Sequence, residues 1–242
     1  MIEKEIKITS YDVQPNSVVK FSSLQKYMQQ LAREDLLQFG VTYYGMREDN
    51  QVFVLVKLAA EFEKDLMAEE TVIIRTWQKE IKGATFTREF EFYREGEKIG
   101  ICSTHWVLLD FEKRTIVKPE KMKRGCESFP ELSSGVVIER RLFEQNEEPT
   151  YVGDYKVMYS DLDENRHLNN AVYPDIVMNY SPLFDEIGFH PSVKRMQINF
   201  AAEAKQGDEL EIYILKTIHG YKSRVENKTE KRTCFDIEFV YR

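Results

Sequence analysis

Apolar and polar positions alternate through most of this chain, and twice the alternation gives way to a helical period. The first strand-like stretch covers residues 5–11, followed by a loop holding Pro15 and Asn16. Leu24, Tyr27, Met28, Leu31, Ala32 and Phe39 then recur at helical spacing, which predicts an amphipathic helix. Ser22 is its expected N-cap, Gln25 would complete a capping box, and Gly40 stands at the stop position. Four strand patterns come next, at 52–60, 71–77, 86–93 and 99–110, with residues 94–98 as the turn between the last two. The 52–60 run is largely apolar, as a strand covered on both faces would be.

The second half repeats that order. Residues 154–160 read as a strand, a polar loop follows, and Asn169 or Asn170 is expected to cap a second helix with Pro174 in its first turn. Val172, Ile176, Tyr180, Leu183 and Ile187 form its inner stripe, Pro182 should kink or shorten it, and Gly188 lies at the stop. Strand patterns return at 193–201, 209–217 and 234–241. Phe62 and Asp65 in the first half match Phe200 and Glu203 in the second. Pro, Gly and Ser punctuate residues 112–150 as an irregular connector. The expected class is α+β, with one long helix against a curved antiparallel sheet in each half. Expected domains are 1–111 and 151–242, joined by the linker 112–150.

Composition narrows the function. The chain has 242 residues, 42% apolar and 12% aromatic, enough for a sizeable core. A net charge of −7 and a pI near 5.4 argue against nucleic acid as partner. No run approaches the roughly 20 apolar residues of a membrane span. The charged, alternating start resembles no signal or transit peptide, so a soluble cytoplasmic protein is expected. Cys102, Cys126 and Cys234 are widely spaced and form no CxxC pair, which argues against a disulfide framework or structural zinc. No cofactor is expected. Lys113, Arg114, Lys118, Lys121, Lys123 and Arg124 cluster in the connector, a candidate landing patch for an acidic partner.

The strongest chemical signal is Asp161-Leu162-Asp163-Glu164-Asn165-Arg166-His167-Leu168-Asn169-Asn170. In an extended segment alternate side chains point the same way, so Asp163, Asn165 and His167 are expected to converge on one pocket. Asp161-x-Asp163-x-Asn165 also starts like a calcium loop. That loop needs Gly at its sixth position and Glu at its twelfth, where this chain has Arg166 and Val172, so calcium is rejected. Asp35 and Asn179 fall within the apolar stripes of the two helices. Each is read as a buried polar group with a neighbouring partner, the alternative for Asp35 being a catalytic helix carboxylate.

Taken with the doubled element order, the 160–170 motif resembles the signature of the acyl-acyl-carrier-protein thioesterases of bacteria and plant plastids. The stretch 104–110, Thr-His-Trp-Val-Leu-Leu-Asp, is family-like as well. The resemblance implies a tandem hotdog fold and hydrolysis of a fatty acyl thioester on acyl carrier protein, as in fatty acid biosynthesis. It also implies catalytic residues in the second hotdog: Asp163, Asn165 and His167 by motif position, and the acid Glu203 on a following strand. Many plant members carry a cysteine directly after that acid. Here the position is Ala204, so no thiol nucleophile is expected.

Glu203 is assigned as general base, Asn165 and His167 as donors to the carbonyl or the water, and Asp163 as the group orienting His167. The choice of base between Glu203 and His167 stays open. The first hotdog is expected to hold the acyl chain. Rival expectations are a hotdog hydratase or dehydratase on 3-hydroxyacyl thioesters, and a non-catalytic acyl-thioester-binding module. The tandem arrangement is compatible with a monomer or a homodimer.

Overall fold

The computed structural model describes residues 1–181 and 192–242. Its first half contains β1 (Ile2–Lys7), α1 (Phe21–Leu37), α2 (Tyr43–Glu48), β2 (Gln51–Phe62), β3 (Thr71–Lys82), β4 (Thr85–Arg94) and β5 (Glu97–Asp110). Its second half contains β6 (Thr150–Lys156), α3 (Tyr173–Tyr180), β7 (Val193–Phe200), β8 (Glu209–Thr217), β9 (Gly220–Asn227) and β10 (Arg232–Tyr241). The strands form one sheet in the order β1-β3-β4-β5-β2-β7-β10-β9-β8-β6. Read from either edge, the chain order within a half is first, third, fourth, fifth, second. β2 and β7 therefore meet at the centre, antiparallel, with Leu58 opposite Ile198. This is the doubled α+β plan expected from the element order.

Alternation on the strands assigns two faces. On β4, Phe86, Arg88, Phe90 and Phe92 point towards α1, whose Leu24, Met28, Leu31, Ala32 and Asp35 are buried. Burying a Phe of this kind contributes about 1.5–3 kcal/mol, so the inner face carries much of the fold's stability. Glu89 points the other way and accepts from the Ser134 backbone N–H at 3.0 Å. Lys57 Nζ donates to the Glu139 and Arg140 carbonyls at 2.9 and 2.8 Å, and Glu139 N–H donates to Gln197 Oε1 at 2.9 Å. The connector thus crosses the outer face from the first half to the second.

Several local expectations are corrected. α1 begins after Lys20, which makes no side-chain cap; Ser22 and Gln25 are buried at the helix's second and fifth positions, and no capping box forms. Ser22 faces Asp175 of α3, whose carboxyl is pushed up by burial and held back by that hydroxyl. Phe39 lies beyond the helix end, while Gly40 adopts φ 70, which suits a stop. α3 is preceded by Val172, not capped by Asn169 or Asn170; Asn169 Oδ1 instead accepts from Ala171 N–H at 2.9 Å in the preceding turn. Asn179 is exposed and takes no part in an inner stripe. Pro182, Leu183, Ile187 and Gly188 lie outside the described residues.

β1 and β6 both stop earlier than their patterns suggest, and for the same reason. An acid three residues past the bend takes the backbone N–H: Asp12 from Thr9 at 2.9 Å, and Asp161 from Met158 at 2.7 Å. Among the described residues no helix is long and apolar enough to cross a membrane.

Candidate active site

The loop 163–167 is a closed turn, not an extended segment. Asp163 N–H donates to the His167 carbonyl at 2.8 Å, Arg166 N–H donates back to the Asp163 carbonyl at 3.0 Å, and Arg166 adopts φ 64. The expected convergence by alternate side chains is therefore replaced by convergence through a turn. The Asp163 carboxylate folds inward and accepts from the backbone N–H of Asn165 at 2.8 Å and of His167 at 3.2 Å. Its contact with His167 is to the backbone N–H; among the described residues no hydrogen bond links it to the imidazole. Asn165 Nδ2 also reaches Asp163 Oδ2, at 3.3 Å.

A short antiparallel contact delivers the acid. Leu168 N–H donates to the Ala204 carbonyl at 2.8 Å, and His167 bridges Lys205. That register sets Glu203 beside His167, with Nε2 to Oε2 at 3.5 Å. Glu203 is 31% exposed and His167 20%, so water reaches both while protein flanks them. The matched residue of the first half, Asp65, is engaged by Arg242 and Ser192.

Three residues of the site were not singled out from sequence. Arg114, read only as part of a basic cluster, forms an ion pair with Glu203. It sits at φ 56 in a turn held by Asp110, whose carbonyl accepts Arg114 N–H at 2.9 Å. Tyr43 Oη donates to Asn165 Oδ1 at 3.1 Å, and Arg47 Nε donates to Tyr43 Oη at 3.3 Å. Both lie on α2, a six-residue helix inside what the pattern presents as a connector. Thr42 is the one local signal: its hydroxyl accepts from Gly45 N–H at 2.9 Å as an N-cap.

Asn165 opens onto a cavity of about 480 Å³ between α1, α2 and the inner face of the first half's strands. Phe53, Phe86 and Trp106 belong to its floor, and Leu36, Val41 and Met46 to its walls. This is within the size of a small-ligand site, and its lining mixes these apolar side chains with charged and amide groups, among them Arg33, Arg47, Arg88, Gln51 and Gln78. Asp163 and Asn165 line it; His167 and Glu203 do not.

Family models match the chain as an acyl-ACP thioesterase N-terminal domain over residues 1–123 and an acyl-ACP thioesterase C-terminal domain over residues 144–238. The chain belongs to the acyl-ACP thioesterase family. Its reaction is hydrolysis of the thioester of acyl-acyl carrier protein, and the hydratase and binding-module alternatives give way to that. The crystal structure of an acyl-ACP thioesterase from Bacteroides thetaiotaomicron VPI-5482 superposes with a TM-score of 0.85 at 19% identity, over 99% of this chain and 97% of that one. The 12:0-ACP thioesterase from Umbellularia californica gives 0.83 at 16% identity, over 100% of this chain and 96% of that one. Those likenesses establish the tandem hotdog fold. No curated protein sequence matches the chain.

Burial pushes the Cys234 thiol up to about 12, with Arg232 acting weakly against it. Ala204, which stands where many plant members have cysteine, is itself fully buried.

Proposed function

We propose that water cleaves the thioester beside the 163–167 loop, with Glu203 as general base and the acyl chain lodged in the first hotdog's cavity. The observation that carries this is the approach of His167 Nε2 to Glu203 Oε2 at 3.5 Å, two residues along the loop from an amide that lines the cavity. Glu203 takes a proton from water as the water oxygen attacks the carbonyl carbon. The carbonyl electron pair moves onto oxygen, where Asn165 Nδ2–H and the His167 ring N–H donate to it. Collapse of the tetrahedral species breaks the C–S bond, and the departing thiolate receives the proton held by Glu203. The products are a free fatty acid and the thiol of the carrier protein.

A positioned base contributes about 10²–10⁴-fold, and an oxyanion donor about 10²–10³-fold. Arg114 keeps the Glu203 carboxylate from swinging away, and Asp163 fixes the backbone that presents His167. Residues 1–111 serve to bind the chain, residues 151–242 to cleave it. The pairing of β2 with β7 supplies internally what two single hotdogs would supply by association, so one chain is a sufficient catalytic unit. The carrier protein docks on the exposed lysines at 113, 118 and 121.

Glu203→Gln and His167→Ala test the assignment. Both are expected to keep the wild-type melting temperature and lose about 10²–10⁴-fold in turnover of acyl-acyl carrier protein. Wild-type turnover in both folded variants would remove this mechanism.

A further inference from the structure

The loop that carries Asn165 belongs to the second half, yet its amide is held from the first. Tyr43 Oη donates to Asn165 Oδ1 at 3.1 Å, and Arg47 Nε donates to Tyr43 Oη at 3.3 Å. The Arg47 guanidinium lies 3.3 Å from the centroid of the Phe111 ring, which fixes it at the end of β5. Tyr43 is flanked on its ring by Arg33 and Arg47, each at 5.4 Å. Thr42 caps the helix one residue earlier, so the start of α2 sets where Tyr43 stands.

The polarity of this chain of groups is determined at both ends. The Asp163 carboxylate already accepts two backbone N–H groups on Oδ1 and serves here as an acceptor, so the Asn165 edge facing its Oδ2 at 3.3 Å is the NH₂ group. The opposite edge is then the amide oxygen, and it needs a donor. At the far end Arg47 only donates, so it occupies a lone pair of Tyr43 and leaves the phenol proton for Asn165. Arg47, Tyr43 and Asn165 therefore each donate to the next group, with Asp163 as the final acceptor, and each bond polarises the next. One N–H of Asn165 Nδ2 is directed to Asp163; the second is available where Asn165 lines the cavity.

We infer that Tyr43 is a positioning residue for thioester hydrolysis: it locks the Asn165 amide so that its free N–H faces the substrate carbonyl. This rests on the proposed role of Asn165 as a donor to that carbonyl. Without the phenol hydroxyl, the amide keeps only the 3.3 Å contact to Asp163 and turns about its last torsion. The first half then contributes to the chemistry through Tyr43, as well as housing the acyl chain.

A double-mutant cycle on acyl-acyl carrier protein hydrolysis tests this. Tyr43→Phe is expected to lower kcat about fivefold to tenfold, the rate equivalent of one net hydrogen bond, with KM and melting temperature nearly unchanged. In an Asn165→Ala background, Tyr43→Phe should cost nothing further, because the hydroxyl has no amide left to hold. Arg47→Met, which removes the donor behind Tyr43, should give a smaller loss of kcat that also vanishes in that background. Wild-type kcat in Tyr43→Phe, or an equal loss with and without Asn165, overturns the inference while the assigned site stands. Wild-type turnover in Asn165→Ala is a different outcome, and removes the assigned role of Asn165 together with the inference.

Discussion

Asp35→Ala is the perturbation with the largest calculable effect on stability. Asp35 is 2% exposed in the inner stripe of α1, and its Oδ2 accepts from Arg88 Nη1 at 2.8 Å; the Arg88 side chain is 4% exposed. Arg88 stands between Phe86 and Phe90 on β4, with Thr76 Oγ1 at 3.3 Å as a further partner. Deleting the carboxylate strands a guanidinium in an apolar layer, which costs about 3–5 kcal/mol in buried pairs of this kind. In a chain of this size each kcal/mol lowers the melting temperature by about 2–4 °C. The expected fall is therefore about 6–20 °C, read by calorimetry or circular dichroism.

Asp35 Oδ1 also pairs with the Met1 ammonium at 3.1 Å, but that group is 39% exposed and stays hydrated, so Asp35→Leu with Arg88→Met removes the stranded buried charge and should recover most of the lost stability. That double variant also separates structure from chemistry. Asp35 is absent from the cavity lining, so turnover should survive, with chain-length preference shifted because Arg88 does line it. A fall below about 2 °C for Asp35→Ala would refute the buried-pair argument. A double variant folded as wild type but without turnover on acyl chains of any length would refute the structural role, and return Asp35 to the helix-carboxylate chemistry of other hotdog enzymes.

Cys234→Ala should retain wild-type turnover, and iodoacetamide should leave the native enzyme active, since burial pushes this thiol up to about 12; loss of activity in either would restore a thiol mechanism. Burial, then Lys57, lowers the pKa of His105 below its ordinary 6.5, so the unfolded chain binds this proton more readily than the folded one. Its contribution is fully present above that value and is lost as pH falls from about 7 through the folded pKa. His105→Gln should flatten that part of the stability profile in urea titrations between pH 7.5 and 5.5, and an unchanged slope would count against it. Arg114, Lys123 and Arg124 are engaged with Glu203 and Asp49, so Lys118→Glu with Lys121→Glu tests the docking patch. KM should rise and depend less on salt, while kcat holds; an unchanged KM would sink the docking surface.

How far the sequence reaches can be seen strand by strand. β2, β4, β5 and β10 are legible because their inward positions are mostly apolar, Arg88 on β4 and Thr104 on β5 being buried exceptions. β9 is not, because its inward positions include Ser223 and Asn227, which satisfy themselves on the Tyr213 carbonyl and on Asp208. Ser22 misleads for the opposite reason: a cap-forming residue is used on a buried helix face. At the site, Asp163, Asn165 and His167 announce themselves because one tight turn holds all three. Tyr43 and Arg114 do not, since they arrive from 122 and 89 residues away through a short helix and an irregular turn. Local patterning carries no trace of such pairings.

The same backbone frame occurs twice, and this explains why only one copy carries the acid-amide-imidazole set. In the first half Gln14 N–H donates to the Val18 carbonyl at 2.9 Å, Ser17 N–H donates to the Gln14 carbonyl at 2.9 Å, and Ser17 adopts φ 65. Val19 N–H donates to the Leu66 carbonyl at 2.8 Å, as Leu168 does to Ala204. Gln14, Asn16, Val18 and Asp65 thus occupy the places of Asp163, Asn165, His167 and Glu203. The frame does not depend on the imidazole, because Val18 accepts the same turn. The two copies differ in who caps it. Asn16 spends its own amide oxygen on Val18 N–H at 3.0 Å. In the second half Asp163 takes over that N–H, and Asn165 is left free to face Tyr43 on one side and the cavity on the other. An acid two residues earlier is what leaves Asn165 facing the cavity, where Asn16 caps its own turn.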